Sequence, residues 1–318
     1  MLSRTADHLY WMARYTERAE NLARMLDVSY RMSLLPQASD VVEQSWLATL
    51  TIIGVIDAFR QQDKPATPAN MLNFMAFDRN NPASIYNCVR VARENAHAVR
   101  GTLTSELWET MHSTWLEMRE IGKRPHTGTE MGDFFEWVKY RSHLAHGVTQ
   151  NTMLRDEAFH FTWLGTYLER ADNTARILDV KYHLLLPDED ETQNNSAADY
   201  YQWSALLRSV SAFEIYRKVY SDVITPHRVA ELLILRSDLP RSLHRCISQV
   251  YQHLCDVRNT QSAETERRAG ELHAALRFGR IDDIFEIGLH DYLIHFIDRI
   301  KELGERVARD FLVSATGE

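Results

Sequence analysis

His8–Tyr30 reads HLYWMARYTERAENLARMLDVSY, and His160–Tyr182 reads HFTWLGTYLERADNTARILDVKY. The two stretches align without a gap. They share His, Trp, Tyr, Glu-Arg-Ala, Asn, Ala-Arg, Leu-Asp-Val and Tyr in register. Self-similarity of this kind within one chain is the mark of a repeated structural unit. Fainter echoes extend it. Pro82-Ala83-Ser84 precedes Cys88 as Pro240-Arg241-Ser242 precedes Cys246, and Asp133-Phe134-Phe135-Glu136 is answered by Asp283-Ile284-Phe285-Glu286. The spacing between partners stays at about 150–158 residues throughout. The expectation is a duplicated unit, residues 1–150 and 151–318, packed as one globular body.

Each half reads as five or six helices. In the first they are expected near 4–35, 40–62, 82–100, 103–122 and 129–150. In the second they are expected near 153–186, 197–220, 226–236, 240–258, 260–279 and 281–313. Apolar residues at three- and four-residue spacing support these, as with Trp108, Met111, Trp115 and Met118. Breakers fall between them: Lys64–Pro68, Arg79–Pro82, Lys123–Pro125 and the acidic stretch Pro187–Gln193. With 12 Gly and 8 Pro in 318 residues and no alternating strand pattern, the expected fold class is all-α, a duplicated helical bundle with two pseudo-symmetric halves.

On a helical wheel of about 100° per residue, His8, Trp11, Tyr15, Ala19, Ala23, Leu26 and Tyr30 share one stripe, as do His160, Trp163, Tyr167, Ala171, Ala175, Leu178 and Tyr182. Alanines one turn apart let a neighbouring helix approach, and the stripe reads as core. Glu17, Asn21 and Arg24 lie roughly opposite, repeated by Glu169, Asn173 and Arg176, with Arg18/Arg170 and Asp27/Asp179 flanking. Met12, Leu22, Met25 and Val28 make much of the remaining circumference apolar, so the helix is expected to be central and these polar groups at least partly buried. Buried charge is costly unless paired. Two readings follow: an ion-pair network between the halves, or a polar cleft that grips an anionic ligand or a partner's side chain, for which the planar fork of arginine is suited.

Other chemistry is sparse. The net charge is −8 without a basic block, which argues against nucleic acid and anionic membranes. No stretch approaches the ~18 apolar residues of a membrane span. The opening Met1-Leu2-Ser3-Arg4 runs into an amphipathic helix without a cleavage site, so a cytoplasmic location is expected. Cys88, Cys246 and Cys255 read as reduced core thiols. The phosphate-loop, CxxC, HExxH and GxSxG patterns do not occur, and no cofactor is expected. Glu157 and His160 form one Glu-x-x-His pair, but Thr5 stands in the first copy where Glu157 stands in the second, so a bundle metal centre is not expected. His143, His146, His290 and His295 read as hydrogen-bonded or solvated.

At Tyr15–Asn21 and Tyr167–Asn173 the chain resembles the bacterial alpha-E family, helical proteins named for a recurrent Glu-Arg motif. Met1–Ala6 with Tyr10-Trp11, Gly147–Thr149 and Thr152–Asp156 also look like that family's segments. Its members are typically encoded beside, or fused to, a circularly permuted ATP-grasp protein, often near a transglutaminase-like cysteine peptidase. The resemblance implies an accessory or binding component of an ATP-grasp-dependent peptide- or amide-forming system, one that docks the ligase or presents its substrate. A stand-alone helical enzyme, metal-dependent or not, using Glu157, His160 and the Glu-Arg pairs, and a structural scaffold, homodimeric or not, are the alternatives.

Overall fold

Residues 3–33 contain neither glycine nor proline and few β-branched side chains, and they form one uninterrupted helix, α1 (Ser3–Ser33). The chain is described by a computed structural model covering residues 1–34, 39–124, 129–185 and 197–312, without the side chains of 39–41, 129, 180–185 and 197–199. After α1 come α2 (Ser39–Ile53), α3 (Ile56–Arg60), α4 (Pro68–Ala76), α5 (Ile85–Ala98), α6 (Ser105–Ile121) and α7 (Thr129–Thr152). The second half holds α8 (Glu157–Leu185), α9 (Ala197–Ser209), α10 (Phe213–Tyr220), α11 (Pro226–Ile234), α12 (Leu243–Asp256), α13 (Ala263–Phe278), α14 (Ile281–Ile287) and α15 (Leu289–Phe311). The described residues are all-α, with fifteen helices and no strand.

Five or six helices per half was too few, and backbone geometry shows why. The helix expected over 40–62 stops at Gly54 (φ +77°), that over 197–220 at Ser211 (φ +55°), and that over 281–313 at Gly288 (φ +101°). Each is in the left-handed region, where a right-handed helix cannot continue. The α4 helix lies between two breaker clusters and was not expected. Thr67 caps it by accepting from the Asn70 amide, Pro68 takes its first turn, and Met71, Phe74 and Met75 are buried. The acidic stretch Pro187–Gln193 and Pro125 lie outside the described residues.

The two motif helices are central. α1 packs most extensively on α8 and α5, and also on α7, while α8 packs on α12 and α15. The alanines of the expected core stripe, Ala19, Ala23, Ala171 and Ala175, are buried, as are Leu26 and Leu178. The aromatics of that stripe are not core residues: Trp11, Tyr15, Trp163 and Tyr167 are half-buried at its margin. Nearer the helix starts, α1 and α8 approach closely where Gly165 faces Ala13 and the carbonyl of Tyr10.

Pro-Ala-Ser and Pro-Arg-Ser stand at matching places. Ser84 caps α5 through the Asn87 amide, and Ser242 caps α12 through the Arg245 amide. Ala83 and Arg241 are therefore each the residue before an N-cap, directed at the central pair of helices. This difference decides the shape of the site.

Candidate functional site

The Glu-Arg motifs of α1 and α8 pair reciprocally. Arg170 donates from Nε and Nη2 to the two oxygens of Glu17, at 2.9 and 2.7 Å. Arg18 donates from Nε and Nη2 to the two oxygens of Glu169, at 2.6 and 3.0 Å. Each motif's glutamate holds the other's arginine in two-point geometry, the strongest form of this contact. Glu17 is fully buried and Glu169 is 5% exposed.

A second guanidinium reaches each glutamate by a different route. At Glu17 it is Arg241, whose Nη1 donates to Glu17 Oε1 (2.9 Å) and Asn21 Oδ1 (2.7 Å) and whose Nη2 donates to Glu20 Oε1 (2.5 Å). Arg24, one turn on, donates to Glu20 at 2.7 Å, and the Ser142 hydroxyl donates to the other Glu20 oxygen at 2.6 Å. At Glu169 it is Arg14, through Nε at 2.7 Å. Position 14 corresponds to Thr166 in the second motif, and position 241 to Ala83 in the first half.

That exchange leaves one cluster filled and the other open. A cavity of about 520 Å³ lies against the second, its lining made of the polar Arg14, Arg18, Glu169, Asp172, Asn173 and Arg176 and the apolar Trp11, Leu22, Met25, Ala83 and Ile300. Asn21 belongs to both clusters. Its carbonyl oxygen accepts from Arg241 and it also lines the cavity, while its amide nitrogen has no hydrogen-bond partner among the described residues.

The charges are locked. Burial alone would raise the Glu17 carboxyl, but the guanidiniums of Arg170 and Arg241 outweigh it and hold the group below its ordinary 4.5. Against the same burial penalty, Arg241 and Arg24, with a hydrogen bond from His143, hold Glu20 well below. Glu169 is brought down to about 2 by Arg14 and Arg18, again against burial. Burial opposes the charge on Arg14, Arg18 and Arg170, yet their carboxylate partners keep all three above the ordinary arginine value. His146, 3.7 Å from Glu17, is pushed down by burial more than that carboxylate raises it.

A pH dependence follows. A carboxylate depressed by folding contributes stability that is complete above its unfolded value and is lost as the pH falls through its folded value. For Glu169, from 4.5 to about 2, the contribution is on the order of 3 kcal/mol. Glu17 and Glu20 act in the same direction. Urea midpoints are expected to hold near neutrality and to fall steeply from ~pH 4.5 to ~pH 2. A flat profile over that window would contradict the assigned pairing.

The ten residues singled out in the sequence separate into three places. Glu17, Arg170, Asn21 and Arg24 join the filled cluster, and Arg18, Glu169, Asn173 and Arg176 the open one. Asp27 and Asp179 belong to neither. Asp27 pairs with Arg31 and Lys139, and Asp179 with His290 of α15. Sequence reasoning missed Arg14, Glu20, Ala83, Asp172 and Arg241. Glu20 and Asp172 were visible as an acidic position shared by both motifs, and Arg241 as the one difference in the Pro-x-Ser echo.

The Glu157–His160 pair does not assemble. The Glu157 carboxylate meets the Met1 amino group, while His160 Nδ1 lies 2.9 Å from His253 Nδ1 and 3.4 Å from Asp256. In the first half the corresponding contact is a hydrogen-bonding one between His8 and Asn95, at 2.8 Å. Burial pushes the thiols of Cys88 and Cys246 up to about 12, so both are inert core groups.

Over residues 1–312 the chain matches Alpha-E, described as a predicted alpha-helical domain with a conserved ER motif. The chain belongs to the Alpha-E family. Two Glu-Arg dipeptides of this Alpha-E chain, Glu17-Arg18 and Glu169-Arg170, brace α1 against α8. The chain is similar to an uncharacterized protein of Mycobacterium bovis and to uncharacterized proteins of two Mycobacterium tuberculosis strains. Identity is 23% over 301 residues, 89% of this chain and 33% of each relative. It thus spans about a third of the length of the curated relatives it matches. No solved structure matches it. No helix among the described residues is long and apolar enough to cross a membrane.

Proposed function

We propose that this chain is a cytoplasmic, non-catalytic binding component of an ATP-grasp-dependent system that forms peptide or amide bonds. It docks the ligase or presents its substrate. The observation that carries this reading is the fixed charge of the Glu-Arg clusters. General acid–base catalysis needs a group that titrates near the working pH. Glu17, Glu20 and Glu169 are held below the ordinary range and Arg14, Arg18 and Arg170 above theirs, so none of them exchanges a proton near neutrality. Such groups recognise and brace. The partner follows from the company that Alpha-E proteins are expected to keep, a circularly permuted ATP-grasp protein and a transglutaminase-like peptidase.

The two clusters divide the work. The filled cluster around Glu17 is internally satisfied and favours a bracing role, while the open cluster around Glu169 has room for a ligand. Affinity purification at native expression level, with mass spectrometry of the eluate, tests the partnership. An ATP-grasp protein is expected to co-elute near one to one, and its ATP turnover to rise when this chain is added back. Elution alone together with unchanged turnover would refute the partnership.

A further inference from the structure

We propose that the cavity beside Glu169 is a binding site for an organic oxyanion, a carboxylate or phosphate head on an apolar body, and that Ala83 is the residue that keeps it open. The inference deepens the substrate-presenting form of the proposed function and names the ligand chemistry that form requires.

The filled cluster supplies the comparison. There, Arg241 enters from the residue before an N-cap and occupies the space beside Glu17, Glu20 and Asn21. In the open cluster the same place holds Ala83, and no side chain enters from it. Charge balance does not require one. Arg14, where the other motif has Thr166, already brings the second guanidinium to Glu169. The second guanidinium has moved from a loop to a helix, and the vacated volume is what remains. At about 520 Å³ it falls in the range of small-molecule pockets, roughly 300–1,000 Å³.

Three features give the occupant its sign. The wall carries Arg14, Arg18, Arg176 and Lys301 against Glu169, Asp172 and Glu305, an excess of one positive charge. Asn21, 3% exposed, has its amide nitrogen without a partner. Its orientation is fixed because its oxygen accepts from Arg241, and arginine only donates. A buried donor left unsatisfied is costly, and it marks this wall of the cavity as short of acceptors. Lys301, exposed at the rim, makes no ion pair or hydrogen bond among the described residues. The same lining includes Leu22, Met25, Ile52, Ile300 and Trp11, apolar surface for the body of the ligand. Glu305, exposed like Lys301, also makes no ion pair or hydrogen bond among the described residues, so the positive excess lies at Glu169, where two guanidiniums share one carboxylate whose oxygens are both taken.

The test is calorimetric titration of the full chain with N-acetyl-leucine for the carboxylate arm, hexyl phosphate for the phosphate arm, and neutral N-acetyl-leucinamide as control. At least one anion is expected to bind and the amide not to bind, and the arm that binds identifies the head group. Ala83→Arg, which rebuilds the filled arrangement, is expected to weaken the anion by at least about tenfold, with Lys301→Glu acting in the same direction. Lys301 is exposed, so that variant decides the matter even if Ala83→Arg does not fold. No binding of either anion up to ~10 mM, or binding that both variants leave unchanged, would overturn the site. The outcome is separable from the partnership. Anion binding without a co-eluting ligase leaves the cavity standing, and a co-eluting ligase without anion binding leaves only docking.

Discussion

Glu17→Ala is expected to cost about 3–5 kcal/mol of folding stability, the usual penalty for removing one partner of a buried charge pair. Glu17 is fully buried and holds Arg170 by two hydrogen bonds and Arg241 by a third. Without it, Arg170 loses both of its hydrogen-bond acceptors, and Arg241 keeps only Glu20 and Asn21. Two guanidiniums are then left under-compensated among apolar side chains. Globular proteins are stable by only ~5–15 kcal/mol, so the loss is a large share of the total. A second cluster provides the control. Glu264 pairs with Arg267 and Arg268 at the surface, where solvent screens the attraction and ion pairs contribute little. Urea unfolding of Glu17→Ala beside Glu264→Ala should show the first midpoint far below the second. A double-mutant cycle with Arg170→Ala should give a coupling of ~0.5–3 kcal/mol. Equal midpoints, or a coupling near zero, would mean that the Glu-Arg motif does not brace the two helices.

The helical class, the central motif helices and the burial of Glu17, Asn21 and Glu169 could be read from the sequence, because each depends on periodicity along one helix. What could not be read depends on the approach of separate segments. Arg241 is 224 residues from Glu17, and nothing local marks its side chain as the one that closes the first cluster. The echo of Pro82-Ala83-Ser84 in Pro240-Arg241-Ser242 was visible as similarity, yet the informative residue was the one that differs. Arg14 was hidden for a related reason: it has no arginine counterpart at Thr166, so a search for shared positions passes over it. Asp27 and Asp179 err in the opposite direction. Both motifs have them, and they turn to Lys139 and His290 on outer helices, away from the clusters. Repetition identifies the frame of this molecule, while departures from repetition identify its cavity.

Gly165 is such a departure, and it carries the second large expected effect. Its counterpart in the first motif is Ala13. A Cβ at position 165 would lie 2.3 Å from the Tyr10 carbonyl oxygen and 3.2 Å from the Ala13 methyl. The nearer atom is backbone, so it cannot swing aside as a side-chain tip would, and α1 and α8 would have to separate. Overpacking of this kind costs ~1–3 kcal/mol and occasionally more. Gly165→Ala is expected at the upper end, because separation also lengthens the Arg170–Glu17 and Arg18–Glu169 contacts that lie one to two turns further along the same pair of helices. Gly147 of α7 is the comparison. A Cβ there meets nothing within 4 Å, so Gly147→Ala should gain roughly 0.5–1 kcal/mol from helix propensity and a less flexible unfolded chain. The same substitution in two helices should therefore move the melting temperature in opposite directions. Equal shifts would show that α1 and α8 do not meet at Tyr10 and Gly165, and the reciprocal pairing built on that contact would fall with it.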